Sequence, residues 1–372
     1  MLTPLPRFPL VDWFAAAEGR FDFSLSHSDC EPLHCSDLLN EQELKEFGHF
    51  RLGYGPFAGL EELRNLVAHQ YQTIEPKDVL IFSGASEAIY TFMRTMLKPG
   101  DDVVVQSPMF QPLHAIAQAI GCKLIEWRPD NELTCDFDVS VLSHLCNKRT
   151  KLLVFNFPHN PSGQMISESD LRWIVEIARK SNAYIFSDEQ FRLLELPPTS
   201  PLSAACDLYE KAISISSVSK TYGLGGLRIG WMATRSREVI TAAKEYRFYT
   251  TEMTNTPCQI LAARTLERGT EILNRNRSRI QANLEKLSSF VEQHEDKLIL
   301  HPPNAGTMAL VEQQTTFTGR DFCKRLLEEE RVFLVPGGVM GMSDRLLRFG
   351  IGREDFSEGL ERVENFVNRL FH

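Results

Sequence analysis

No run of this sequence approaches the roughly 20 apolar residues that a membrane-spanning helix needs, so no such span is expected. Its eight cysteines include no Cys-x-x-Cys pair, and no Cys/His cluster has zinc spacing, so neither a zinc module nor another metal site is expected. Basic residues are in deficit, 40 Lys and Arg against 49 Asp and Glu, for a formal net charge of −9. There is no basic tract either, which argues against nucleic acid or an anionic membrane as the main partner. Internal repeats and low-complexity segments are absent. Met1–Arg7 lacks the basic region and long apolar stretch of a secretory signal. Reduced thiols and a cytoplasmic location are the expectation.

What is present is a 372-residue chain, 43 % apolar and 24 % charged, ordinary values for a folded globular protein. That length exceeds one simple core, so two domains, or one large domain with a smaller lobe, are expected. Asp78–Phe82, Asp102–Gln106, Lys123–Trp127, Lys151–Phe155, Ala183–Ser187, Ala212–Ser216 and Ile229–Ala233 read as strands. Ala85–Leu97, Met109–Ile120 and Ser167–Ser181 read as helices, the last with a polar, acidic start. This alternation predicts an α/β fold of three layers, a mostly parallel sheet covered on both faces. Past Arg235 the pattern becomes α+β. Helices are expected over Ser236–Phe248, Asn255–Arg268, Glu271–Gln293, Arg320–Glu330 and from about Glu354. Strands are expected at Lys297–Leu300, Thr307–Val311, Val332–Val335 and Arg345–Phe349. A smaller α+β domain follows from that change. The first 40 or so residues show little regular pattern.

Open α/β sheets bind ligands beyond the carboxyl ends of their strands. The most informative stretch there is Ser216-Ser217-Val218-Ser219-Lys220-Thr221-Tyr222-Gly223-Leu224-Gly225-Gly226-Leu227-Arg228-Ile229-Gly230. A lysine shielded from water has a lowered pKa and can form a Schiff base. Ser217 and Arg228 could clamp a phosphate beside it. A dinucleotide fingerprint is excluded, because GxGxxG begun at Gly223 requires glycine where Arg228 stands.

This stretch resembles the SxSKxxGLxGLRxG signature of fold type I pyridoxal-phosphate enzymes, the aminotransferase class I/II superfamily. The family's other elements follow in order. Ser83-Gly84-Ala85-Ser86-Glu87-Ala88 resembles its phosphate cup, in which Ala85 and Ser86 at a helix N-terminus would hold the phosphate of pyridoxal 5'-phosphate. Phe110 takes the place of the aromatic that stacks on the cofactor ring. Asn160, in Asn160-Pro161-Ser162-Gly163, takes that of the donor to ring O3′ and also touches substrate. Asp188 would pair with the ring N–H and keep the ring an electron sink. Tyr54, in Tyr54-Gly55-Pro56-Phe57-Ala58-Gly59-Leu60, resembles a tyrosine that reaches the phosphate of the other subunit, which implies a homodimer with shared active sites. Arg348 would bind the substrate α-carboxylate, with Arg345 and Arg353 as alternatives in register. Lys220 and Asp188 are thus the implied catalytic residues, and Ser217 and Arg228 join the implied cofactor contacts. The resemblance also implies a large cofactor domain over residues 45–268 and a small domain from 1–44 and 269–372.

Two departures bear on the reaction. Phe191 stands where most relatives have a tyrosine that donates to O3′, so that oxygen has one protein donor fewer. Ser26-His27-Ser28-Asp29-Cys30 stands where relatives usually carry a glycine near the substrate. A polar loop there reads equally as a contact to a polar or basic side chain or as plain surface. Phe191 and the Phe157-Pro158-His159-Asn160-Pro161 turn are similar to a branch that includes capreomycidine synthase, and His-Asn-Pro also occurs in carbon–sulfur β-lyases. The leading expectation is an aminotransferase that moves an amino group between an L-amino acid and a 2-oxo acid. The alternative is β-elimination or β-replacement, by a carbon–sulfur lyase or a capreomycidine-synthase-like cyclase. A non-catalytic regulator on this fold would carry an N-terminal DNA-binding domain. A cofactor domain that begins by about residue 45, in an acidic chain, argues against it.

Overall fold

The computed structural model describes residues 4–370, so Met1–Thr3 of the N-terminal stretch lie outside the described residues. Its strands are β1 (Phe23–Ser24), β2 (Val79–Phe82), β3 (Asp102–Gln106), β4 (Lys123–Trp127), β5 (Thr150–Asn156), β6 (Tyr184–Asp188), β7 (Ala212–Ser217), β8 (Gly230–Ala233), β9 (Leu298–His301), β10 (Met308–Gln313), β11 (Val332–Phe333), β12 (Val335–Pro336) and β13 (Leu346–Gly350). Seven of them form a sheet in the order β2-β8-β7-β6-β5-β3-β4. All run parallel except β8, which is antiparallel to both neighbours.

The side-chain alternation of the strands builds the layers. Val103 and Val105 join Leu152, Val154 and Phe186 on one face, packed by the helices Ala85–Met96 and Pro112–Ile120. Val104, Leu153, Phe155 and Ile185 point the other way, against the helix Glu168–Ser181. Both faces are therefore dry, which explains why β2 and β3 are buried at every position. The three-layer α/β arrangement is as the alternation predicts, with most strand limits shifted by a residue or less. The helix expected from Met109 starts only at Pro112, where proline occupies its first turn.

A second sheet, β12-β13-β10-β9, is wholly antiparallel. The helices Gly269–Glu292, Gly319–Glu330 and Phe356–Leu370 accompany it in the C-terminal part of the chain. Strands β1 and β11 form a separate parallel pair. One expectation needs correction. The first 40 residues are not without regular structure, because Pro9–Ala17 form a helix, α1, with proline at its start. No side chain caps α1. Its anchors are tertiary: the Trp13 indole N–H donates to the Leu334 carbonyl at 2.9 Å, and Phe14 meets Phe333 edge-on at 4.8 Å. A helix held by partners far along the chain leaves little local signal. Among the described residues no helix is long and apolar enough to cross a membrane.

Register sets up the site. Asn156 pairs with Asp188, and Asp188 with Ile215 two residues before the end of β7. The carboxyl ends of β5, β6 and β7 therefore reach one edge of the large sheet together.

Candidate active site

A cavity of about 700 Å³ opens at that edge, within the range of small-molecule sites. Ala85, Ser86, Phe110, Asn160, Asp188, Ser217, Lys220, Arg228 and Arg348 all line it. Of the residues given a site role from sequence, Tyr54 lies elsewhere, 92 % exposed on its own chain, and the alternatives Arg345 and Arg353 do not line the cavity either.

Lys220 sits just past β7, in a turn where the Ser219 N–H donates to Ser217 Oγ at 3.1 Å. Its Nζ donates to Ser28 Oγ at 2.8 Å. Burial pushes its pKa down, and the Arg348 and Arg228 charges add to that, while Asp29 and Asp188 oppose it. The shift is toward the neutral, nucleophilic amine. Asp188 ends β6. Burial raises its pKa to about 7, against the pull of the Gln190 N–H, which donates to Oδ1 at 3.1 Å. A cationic N–H that meets this carboxyl would favour its ionised form.

The helix Ala85–Met96, α2, begins directly after β2 with Gly84 at φ +82°, and no side chain caps it. Its first N–H groups are therefore free for an anion. Arg228, itself at φ +53°, brings its guanidinium up to Gly84, just before them. A Cβ at Gly84 would strike its Nη2, so glycine is what lets the guanidinium reach the helix start.

Arg348 lies on β13, opposite Leu310 and Val335, and is 2 % exposed. Its Nη2 donates to the Ser26 carbonyl at 3.0 Å and its Nη1 to Asn160 Oδ1 at 3.3 Å. Among the described residues its Nε has no hydrogen-bond partner. Burial lowers its pKa to about 10, and among the described residues it forms no ion pair with a carboxylate. The alternatives in register are both engaged: Arg345 with Glu312 at 2.8 Å and Arg353 with Asp29 at 3.0 Å.

Asn160 is fixed from below. Its N–H donates to Asn156 Oδ1 at 2.7 Å, and Asn156 Nδ2 donates to the Asp188 carbonyl at 2.8 Å. The buried His159 ring bridges the Pro108 carbonyl, 2.8 Å from Nε2, and Ser162 Oγ, 2.7 Å from Nδ1. It thus ties the Asn160 turn to the segment that carries Phe110. Burial pushes its pKa to about 4, so it stays neutral at physiological pH.

Several cavity residues were not singled out from sequence. Asn156 stood in the sequence only as the residue that follows the strand expected at Lys151–Phe155. Phe8, Leu10 and Phe14 line the outer side from α1 and the turn before it, and they carried no pattern. The loop read two ways contributes His27, Ser28 and Asp29 to the cavity wall, so it is not plain surface. Phe191 is buried and also reaches the cavity.

The family model for aminotransferase class I and II matches residues 30–363. This chain belongs to that family. As a class I/II aminotransferase family member it is a pyridoxal-phosphate-dependent enzyme of fold type I. Capreomycidine synthase of Streptomyces vinaceus is 29 % identical over 369 residues, covering 96 % of this chain and 93 % of that enzyme. Aspartate aminotransferase of Thermotoga maritima is 29 % identical over 323 residues, covering 83 % and 82 %. The crystal structure of a pyridoxal-phosphate-dependent aminotransferase from Streptococcus suis superposes with a TM-score of 0.93 at 28 % identity, over 99 % of both chains. The residues present suit the cofactor. The uncapped start of α2 with Arg228 could take its phosphate, Asp188 its ring nitrogen and Lys220 its aldehyde carbon.

Proposed function

We propose that this family member is an aminotransferase that moves an amino group between an L-amino acid and a 2-oxo acid, with Lys220 as the amine that carries the chemistry. The observation that carries this reading is Arg348. A buried guanidinium without a carboxylate partner among the described residues, in the same cavity as a buried lysine, suits a substrate that brings its own carboxylate.

Bound pyridoxal 5'-phosphate supplies an aldehyde that captures amines and a ring that draws charge from the α-carbon. Arg348 grips the substrate carboxylate, and Asn160, fixed by Asn156, keeps the guanidinium in place. Lys220 takes the α-proton as a general base and returns it as a general acid. Asp188 holds a proton at the ring nitrogen. Phe8, Leu10 and Phe14 keep water from the outer side of the cavity. The site is completed by a second copy of the chain. Exposed Leu52, Tyr54 and Tyr249, with Phe57 stacked edge-on against Phe248 at 5.1 Å, form the apolar surface for that partner.

The likeness to capreomycidine synthase favours a second reading, β-elimination or β-replacement, which begins with the same proton removal. Adding a panel of L-amino acids to the holoenzyme separates the two. A 2-oxo acid formed together with pyridoxamine phosphate supports transamination. Release of ammonia or a thiol, or formation of a β-substituted or cyclised amino acid, with no pyridoxamine phosphate supports the second reading. Lys220→Ala should lose the visible absorption of the bound cofactor and the activity; full activity in that variant rejects both.

A further inference from the structure

We propose that Ser28 is a positioning residue for the Lys220 amine: its hydroxyl accepts an N–H of Lys220 and fixes the nitrogen for proton exchange with the substrate. The inference rests on the reading of Lys220 as the proton-moving amine. The Nζ to Oγ distance is 2.8 Å, and among the described residues no other group accepts from that amine. A lysine amine rides on a flexible four-carbon stem. Engaging one of its N–H groups restricts rotation about the Cε–Nζ bond and narrows the directions in which the lone pair points.

Ser28 is itself held on all sides. Thr307 Oγ1 donates to its carbonyl at 2.9 Å. The Cys30 N–H donates to the Lys220 carbonyl and the Glu31 N–H to the Gly352 carbonyl, each at 3.0 Å. Asp29 is gripped by Arg353 at 3.0 Å. Gly350, Gly352 and Gly223 approach this segment so closely that a Cβ would strike the carbonyl of His27, Asp29 or Glu31 respectively. Two residues before Ser28, Ser26 accepts from Arg348 Nη2 at 3.0 Å and donates its hydroxyl to the Arg348 carbonyl at 3.2 Å. One clamped stretch therefore touches both the guanidinium and the lysine amine, and sets the distance between them.

The charged groups that face Lys220 are Asp29, Asp188, Arg228 and Arg348, with His27 beside them. Removing a neutral hydroxyl changes none of these charges. A hydroxyl acceptor favours the ammonium form over the amine, so its loss lowers the Lys220 pKa.

The test uses wild type and Ser28→Ala, each reconstituted with pyridoxamine phosphate, which leaves Lys220 as a free amine. Limiting cyanate is added across a pH series, and carbamylation of the Lys220 peptide is followed by mass spectrometry. The midpoint should fall by about one pH unit in Ser28→Ala. In turnover kcat should fall about tenfold, with KM changed less than about twofold. An unmoved midpoint overturns the proposal even if turnover slows, because a merely structural role also slows turnover. Ser28→Gly, which also removes the hydroxyl, gives the same comparison should Ser28→Ala fold poorly. The reading of Lys220 has its own control: cofactor absorption and activity that survive Lys220→Ala would sink that reading, whatever Ser28 does.

Discussion

Asp188 works against the cofactor-free fold. Burial lifts its pKa from 3.8 to about 7, so the folded state holds a proton that the unfolded state releases. That contribution to stability is complete below pH 3.8 and is lost as pH rises through about 7. The loss is on the order of 4 kcal/mol. Asp188→Asn removes the titration. Without cofactor the variant should be about as stable as wild type near pH 4.5 and clearly more stable at pH 8, while it binds pyridoxal 5'-phosphate poorly. Thermal unfolding at both pH values checks this, and a pH-independent difference would reject it. Asp188, Lys220 and Arg228 were legible in the sequence because each lies in a short motif directly after a strand. Ser28 was legible only as part of a stretch that read two ways, because its position depends on Gly223, Gly350, Gly352 and Thr307, which only the fold brings to it.

Among the elements, the turn from Asn156 to Gly163 has the most to gain from a single ring. His159 spans it and reaches across to the Pro108 carbonyl. Its folded pKa of about 4 lies below the ordinary 6.5. Its neutral form therefore contributes stability above pH 6.5 that is lost as pH falls toward 4. His159→Gln should cost about 2–3 kcal/mol at pH 7, and the gap to wild type should narrow at pH 5. Urea midpoints at the two pH values measure it; a constant gap would count against the role given to the ring. Elements differ in how plainly the sequence announces them. The strands of the large sheet read well because double-sided burial forces unbroken apolar runs. Helix α1 read poorly because Leu334 and Phe333, not its own ends, hold it.

For the whole molecule, a net charge of −9 describes the surface and says little about a cavity that gathers Lys220, Arg228 and Arg348. The same surface carries the exposed aromatics around Tyr54, and these predict a dimer of twice 42.4 kDa in sedimentation. Phe248→Glu should shift it to monomer and weaken cofactor retention with it; a monomer that kept full activity would argue against shared sites. Domain-scale features were the least legible from sequence, since the cavity is assembled from β13, the Lys220 turn and the 26–30 stretch, three parts of the chain far apart in order. That assembly has a mechanical corollary. Arg348 belongs to the small antiparallel sheet and Lys220 to the turn after β7 of the large, mostly parallel sheet, so a molecule gripped by both is a fastener across the seam between the two parts. Each turnover sets the fastener and withdraws it. A carboxylate ligand that lingers would, by mass action, slow hydrogen exchange along the seam first, making the substrate, while it stays, a structural member of the enzyme.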